Sequence, residues 1–127
     1  MGLSRRDFLV TSLAGAAVFA TPARALDKLV IVATTGMIAD AARQIGGNFV
    51  HVKGLMGPGV DPHSYRQTRS DIVAMTRADL VLWHGLYLEA QMDEFLQQLE
   101  KRVPVRAVTA SIPNEVLRVH PSYADKF

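Results

Sequence analysis

Short apolar runs alternate with segments of helical periodicity from residue 28 onwards. Residues 29–33 and 80–83 are uninterrupted apolar runs, which are typical of strands buried on both faces. Residues 49–55 alternate between apolar and polar side chains and predict another strand, and Pro104 introduces a short run over residues 105–108. The chain is therefore expected to contain four short strands.

The amphipathic segments between these strands predict three helices. The first is expected to begin near Gly36 behind a Thr35 cap and to end at residues 46–47, and the second to be capped by Ser70. The third is expected to begin at Leu88, which places Glu89 beside the positive end of the helix dipole. The side chains expected to face the core are Met37, Ile38, Ala41, Ala42 and Ile45 in the first helix, Ile72, Val73 and Met75 in the second, and Met92, Phe95, Leu96 and Leu99 in the third.

This alternation of strand and helix predicts an α/β fold, a parallel sheet flanked by helices on both sides. In such sheets ligands bind beyond the carboxyl ends of the strands. Function is therefore expected in the loops that follow the first three strands, at residues 34–36, 61–65 and 84–89. From residue 110 the periodicity fades into a loop-like tail.

Residues 1–25 have the pattern of an export signal peptide. Arg5 and Arg6 precede an apolar run over residues 8–20, and the small-x-small sequence at 23–25 predicts a cleavage site. The run is shorter than the roughly 20 residues that span a bilayer. Residues 4–9 resemble a twin-arginine signal, and a general secretory signal that carries two arginines is the alternative. Either route leads to a periplasmic or other extracytoplasmic location for residues 26–127.

The excess positive charge belongs to this signal. Without its three arginines and one aspartate, the 14 basic and 12 acidic residues of the chain become 11 of each. A neutral mature chain has no basic stripe for phosphate contacts, so nucleic acid is not expected as a partner. Cysteine is absent, which excludes disulfides, thiolate metal sites, cysteine nucleophiles and a lipid-modified N-terminal cysteine.

His63 is the strongest candidate for a metal ligand. It lies in the long loop after the second strand, and Pro62 restricts the backbone just before it. A rigid loop would hold the imidazole in a fixed direction, and neutral imidazole binds zinc, manganese, iron and other divalent ions. A surface or hydrogen-bonding histidine is the alternative from spacing alone.

Asp61 and His84 are weaker candidates at the same edge of the sheet. Asp61 either orients His63 or caps a turn. His84 follows the third strand directly. It is either a hydrogen-bonded loop histidine, a residue that donates a hydrogen bond to a metal ligand, or an accidental ligand. A secreted metal-dependent hydrolase, with His63 and Asp61 as ligands and His84 as the base, is the alternative function. The sequence lacks Gly-x-Ser-x-Gly, His-Glu-x-x-His and a glycine-rich phosphate loop, so an enzyme is not expected.

Four separated motifs resemble a known family. They are Ala-Thr-Thr-Gly-Met-Ile at 33–38, Leu-Met-Gly-Pro-Gly-Val-Asp-Pro-His-Ser-Tyr at 55–65, Ala-Asp-Leu-Val-Leu at 78–82 and Gly-Leu-Tyr-Leu-Glu at 85–89. In this order they resemble the manganese- and zinc-binding solute-binding proteins that deliver metal to ABC importers, the cluster A-I group.

The resemblance implies the first lobe of a two-lobed periplasmic metal-binding protein, with His63 as the first ligand. The remaining ligands would follow residue 127, so residues 26–127 are expected to form an incomplete N-terminal lobe that binds metal weakly. It also implies a divalent cargo (manganese or zinc, or iron), an ABC importer permease as partner, and a monomer. His120 is the single histidine in the region where zinc-type members carry a histidine-rich loop, which favours manganese or iron.

Overall fold

The computed structural model of the chain describes residues 27–118. The four strands are β1 (Leu29–Ala33), β2 (Val50–Gly54), β3 (Leu80–Trp83) and β4 (Val105–Ala107). The three helices are α1 (Gly36–Gly46), α2 (Arg69–Thr76) and α3 (Asp93–Leu99), and 3-10 turns lie at Gly47–Phe49, Val108–Ser111 and Asn114–Val116.

The strands form one parallel sheet in the order β2-β1-β3-β4. Each connection between two strands passes through a helix and returns the chain to the edge of the sheet at which the strands begin, as parallel pairing requires. The carboxyl ends of all four strands therefore lie at one edge of the sheet, and the loops after them are neighbours. The predicted α/β fold, a parallel sheet flanked by helices, is confirmed.

The two faces of the sheet are covered unequally. The larger core cluster joins the sheet to α2, α3 and their flanking segments, and its buried members are Val32, Met56, Met75, Ala78, Val81, Met92, Leu96, Leu99, Val103 and Val105. The smaller cluster lies under α1 and contains Ala33, Ile38 and Ala39, with Val52 and Leu82 packed against it. Neighbouring residues of a strand point to opposite faces, which is why Val32 and Ala33 belong to different clusters.

The buried face of α1 differs from the predicted one. Ile38 and Ala42 are buried as expected, but Met37 is 71% exposed, Ile45 is 88% exposed, and the small Ala39 is buried instead. A Cβ built on Gly54 would lie 3.4 Å from the Ala39 Cβ, an ordinary van der Waals distance, so α1 packs on β2 with Ala39 beside Gly54. In this rotation of the helix Ala39 faces the sheet, and Met37 and Ile45 lie on the outer side.

Two predicted helix starts are also wrong. The cap of α2 is Thr68, not Ser70, and α3 begins at Asp93 rather than at Leu88. Leu86 and Tyr87 have positive φ angles of 51° and 62°, and a series of turns over residues 86–92 precedes α3. At α1, Thr35 is the cap residue as predicted, but its side chain makes no cap hydrogen bond.

The predicted signal peptide, its cleavage site and the chain after Arg118, including His120, lie outside the described residues. Within residues 27–118, no helix has the length and apolar character that a membrane span requires.

Candidate functional site

The end of β1 is fixed from three sides. The backbone amide of Thr34 donates to the Leu82 carbonyl of β3 at 3.0 Å, and its carbonyl accepts from the Met56 amide, also at 3.0 Å. Its hydroxyl donates to the Glu89 carboxylate at 2.5 Å. Thr34 therefore connects the segments that follow β2 and β3 to the centre of the sheet.

The loop that carries His63 leaves the sheet from a fixed point. Leu55 and Met56 extend the β1–β2 ladder by two hydrogen bonds beyond the strand, at 2.9 and 3.0 Å. A turn follows, closed by the Val60 amide on the Gly57 carbonyl, in which Gly59 has a φ of 80°. That angle lies in the left-handed region that favours glycine.

His63 lies at the outer end of this loop, with an exposed side chain. Its backbone amide donates to the Asp61 carboxylate at 3.0 Å, and the Ser64 hydroxyl donates to the Asp61 carbonyl at 3.3 Å. The hydrogen bond from the His63 amide, assisted by Ser64, holds the pKa of Asp61 below its ordinary value. Of the two roles predicted for Asp61, the recorded contact is the turn cap: it orients the backbone at His63 rather than the imidazole.

The far end of the loop is anchored to α2 by Tyr65. The Tyr65 hydroxyl donates to the Asp71 carboxylate at 2.7 Å. The same carboxylate accepts from the Thr68 amide at 2.8 Å and from the Thr68 hydroxyl at 2.7 Å, within a capping box at the start of α2. The segment between Met56 and Tyr65 is thus tied at both ends to regular structure, so His63 projects from a restrained loop.

These contacts shift both ionisable groups. Burial alone would raise the pKa of Asp71, but the donors Thr68 and Tyr65 stabilise its charged form and hold the pKa below the ordinary value of 3.8. Burial raises the pKa of Tyr65 to about 12, and the hydrogen bond to Asp71 contributes to the same shift. The pair therefore consists of an ionised Asp71 and a protonated Tyr65 across the neutral range.

Glu89 is buried at 0% exposure, and the helix-dipole explanation for it is wrong because it lies before α3. Besides the Thr34 hydroxyl, its carboxylate accepts from the His84 amide at 2.8 Å and from the Gly85 amide at 3.3 Å. Its three recorded donors are neutral groups. Glu89 therefore connects the two ends of the loop after β3 and links that loop to the residue that follows β1.

His84 is half-buried at the end of β3. Its Nδ1 lies 3.2 Å from the Gly85 carbonyl, and its own carbonyl accepts from the Thr109 hydroxyl at 2.7 Å. These contacts match a hydrogen-bonded loop histidine, one of the roles predicted for it.

Two cavities lie at this edge of the sheet, and His84 is the one candidate site residue among the residues that line them. One, of about 280 Å³, lies between the start of α1 and the loop before His63 and is lined by Thr35, Gly36, Met37, Met56, Gly57, Pro58, Val60 and Pro62. The other, of about 350 Å³, is lined by Leu82, His84, Val108 and the α1 residues Met37, Ile38, Ala41, Ala42 and Ile45. Met37 lines both cavities. Over residues 27–118, no three His, Cys, Asp or Glu side chains form a group able to hold a metal, so Asp61, His63 and His84 do not make a shared site.

The sequence pattern did not predict two hydrogen bonds at this edge of the sheet, the Thr34–Glu89 contact and the Tyr65–Asp71 contact. The second had a usable signal, because Thr68-x-x-Asp71 is the spacing of a capping box. The first spans 55 residues and no local pattern marks it.

The chain matches known proteins over most of its length. The family model described as zinc-uptake complex component A periplasmic (ZnuA) matches residues 31–126. The manganese-binding lipoprotein MntA of Bacillus subtilis (strain 168) is 41% identical over 110 residues, which cover 87% of this chain and 36% of MntA. The manganese ABC transporter substrate-binding lipoprotein PsaA of Streptococcus pneumoniae is 31% identical over 75 residues, which cover 59% of this chain and 24% of PsaA.

A solved structure shares the same fold. The periplasmic zinc-binding protein TroA from Treponema pallidum superposes with a TM-score of 0.71 and 44% identity, over 75% of this chain and 34% of TroA. The chain thus spans about a third of the length of the relatives MntA and TroA. Manganese and zinc, the ions expected from the sequence, are the ions that these relatives are described as binding. The chain belongs to the ZnuA family of metal-binding substrate-binding proteins.

Proposed function

We propose that this chain captures a divalent transition-metal ion outside the cytoplasm, as manganese or zinc cargo, and that His63 supplies a ligand. The observation that carries the proposal is the restrained position of His63: its exposed side chain stands on a loop anchored by Met56 at one end and by Tyr65 at the other. A ligand that is already held in place loses little conformational entropy when the ion binds.

The chemistry at His63 supports an ion of this class. Neutral imidazole is a common ligand for first-row divalent ions. The Asp61 carboxylate lies two residues away, accepts a hydrogen bond from the His63 amide and adds negative charge to the same loop. A single imidazole with water in the other positions binds weakly, because tight sites use about four protein ligands.

The test locates the bound ion by NMR, from the broadening that it causes in the signals of nearby nuclei. With the full chain labelled with 15N, we expect substoichiometric Mn²⁺ to broaden the amide signals around residues 62–65 first. In His63→Ala this selective broadening should disappear. The matched control is His51→Ala, which removes an exposed imidazole from β2 and should leave the broadening in place. Broadening that persists in His63→Ala, or that centres on His51 or His84, contradicts the assignment.

We further propose that the captured ion is passed to the permease of an ABC importer. PsaA, which is 31% identical over the aligned residues, is described as a manganese ABC transporter substrate-binding lipoprotein, which supports this proposal. Capture and delivery require binding and release without a chemical step, so turnover of a substrate is not part of the function. Metal uptake by cells that carry the chain with His63→Ala should fall to the level of cells that lack the chain.

We propose the twin-arginine pathway as the export route, on the sequence of residues 4–9. Replacing Arg5 and Arg6 together by lysine is expected to stop export and to leave the uncleaved precursor in the cytoplasm. The control is Arg24→Lys, which keeps both signal arginines and should be exported normally. Continued export of the double lysine variant, measured by cell fractionation, would show that the general secretory pathway carries the chain.

A further inference from the structure

Among the described residues, Met37 is the one methionine that is open to solvent. It is 71% exposed, whereas Met56 is 5% exposed and Met75 and Met92 are 0% exposed. In a helix the accessible surface of a residue belongs mostly to its side chain, so a dissolved reagent reaches the Met37 thioether. The apolar period of α1 predicts a core position for Met37, and the structure places it on the outer side instead.

The thioether is the oxidisable group of this surface. The chain contains no cysteine, so methionine supplies all of its sulfur. A hydroperoxide transfers one oxygen atom to a thioether: a sulfur lone pair forms the S–O bond, the O–O bond breaks, and the other oxygen leaves as water or an alcohol. The sulfur loses two electrons and the peroxide gains them. Because the oxidant must touch the sulfur, susceptibility follows exposure.

Met37 also lies where two cavities meet. It lines the cavity of about 280 Å³ between the start of α1 and the loop before His63, and the cavity of about 350 Å³ on the His84 side of α1. The loop contributes apolar side chains to the first cavity, among them Pro58 and Val60. Oxidation converts the flexible apolar side chain into a polar one, which packs less favourably against such a wall.

We propose that Met37 is a modification site, at which a hydroperoxide converts the thioether to the sulfoxide while the fold persists. The side chain belongs to neither hydrophobic cluster of the described residues, so its oxidation removes no core contact. Met75 and Met92 stay reduced, because an oxidant reaches them only after the core opens. The reaction needs neither a metal nor the His63 imidazole, so it is independent of the proposed metal capture.

The experiment treats the full chain with hydrogen peroxide in a buffer that contains a chelator, which excludes metal-catalysed oxidation. Trypsin cleaves after Lys and Arg and places the four described methionines on the separate peptides 29–43, 54–66, 70–77 and 78–101. Mass spectrometry follows the gain of one oxygen atom at the methionine of each peptide. We expect Met37 to be oxidised at least about tenfold faster than Met75 and Met92. Equal rates, or faster oxidation of a buried methionine, would overturn the proposal.

Two leucine variants assign the reaction to one sulfur atom. Met37→Leu removes the thioether and keeps an apolar side chain, and peptide 29–43 should then gain no oxygen. The matched control Met56→Leu removes a buried methionine and should leave the fast oxidation of peptide 29–43 in place. Oxygen that still appears on peptide 29–43 in Met37→Leu rules out the assigned site.

The 15N spectrum of the oxidised chain shows where the sulfoxide acts in the fold. We expect shifts in the first turn of α1 and at the facing loop amides Gly57, Gly59 and Val60, with the signals of α2 unchanged. Methionine sulfoxide reductases with dithiothreitol as the reductant should restore the original spectrum. Shifts throughout both core clusters, or a loss of signal dispersion, would contradict an oxidation that the fold tolerates.

Discussion

Replacing Glu89 by alanine is expected to lower the free energy of unfolding by about 3 to 5 kcal/mol, the largest effect of any single substitution considered for this chain. The Glu89 side chain is fully buried and accepts three hydrogen bonds, from the Thr34 hydroxyl and from the amides of His84 and Gly85. Its removal leaves three buried or half-buried donors without an acceptor, and each costs about 1 to 3 kcal/mol. Chemical denaturation followed by circular dichroism measures the difference.

The loop geometry increases this loss. Leu86 and Tyr87 have left-handed backbone angles, which cost non-glycine residues about 1 to 2 kcal/mol each. The hydrogen bonds to Glu89 hold the chain on either side of this strained turn, so their loss also releases the turn. In Glu89→Ala we therefore expect amide hydrogen exchange to accelerate more at residues 84–89 than in the strands of the sheet.

Two variants show whether the hydrogen bonds are the cause. Glu94→Ala removes an exposed glutamate that accepts a hydrogen bond from Gln98 in α3, and should change the unfolding free energy by less than about 0.5 kcal/mol. Thr34→Val removes one of the three donors, and the double variant with Glu89→Ala should lose less than the sum of the two single losses. Strict additivity, or a loss below about 1 kcal/mol in Glu89→Ala, would contradict the hydrogen-bonded role of the carboxylate.

The sequence predicts the sheet better than it predicts the contacts that hold its edge. The apolar runs at β1 and β3 identify strands buried on both faces, and the helices between them require parallel pairing. This alone places the loops with Thr35, His63 and His84 at one edge. The hydrophobic period of α1 does not show which apolar side chains meet the sheet, because that depends on how the helix packs on β2, where the small Ala39 rather than Met37 or Ile45 is buried.

The site is predictable to the same extent. The turn at His63 is predictable from the local Asp-Pro-His sequence, because an aspartate side chain can accept a hydrogen bond from the amide two residues later. The structure contains this hydrogen bond, from the His63 amide to Asp61. That Asp61, His63 and His84 do not form one metal-holding group among the described residues has no local signal, because it depends on how the loops after β2 and β3 fold. Long-range partners such as Glu89 and Thr34 become visible only when the chain is folded.

Replacing Asp71 by alanine is expected to lower the free energy of unfolding by about 2 to 3 kcal/mol. The carboxylate accepts from Tyr65 and twice from Thr68, so the substitution removes the cap of α2 and the anchor of the His63 loop together. The matched control is Asp40→Ala, an exposed aspartate that accepts from Gln44 one turn later in α1 and should matter little. Thermal and chemical denaturation at neutral pH measure the difference.

The pH dependence tests whether the Tyr65–Asp71 hydrogen bond contributes to this loss of stability. The pKa of Asp71 is lowered on folding, so its contribution is present above the ordinary pKa of 3.8 and is lost as the pH falls through the folded value. The pKa of Tyr65 is raised from 10.0 to about 12, so its contribution is present below pH 10 and is lost as the pH rises towards 12. Tyr65→Phe should therefore remove the alkaline limb of the stability profile and weaken the acid limb, because the Tyr65 hydroxyl also helps to lower the pKa of Asp71. Asp71→Ala should remove its acid limb and reduce the alkaline limb, because burial also raises the pKa of Tyr65. An alkaline limb that is unchanged in both variants would mean that the Tyr65–Asp71 contact does not stabilise the fold, and the restraint on the His63 loop would then have to come from its β1 end alone.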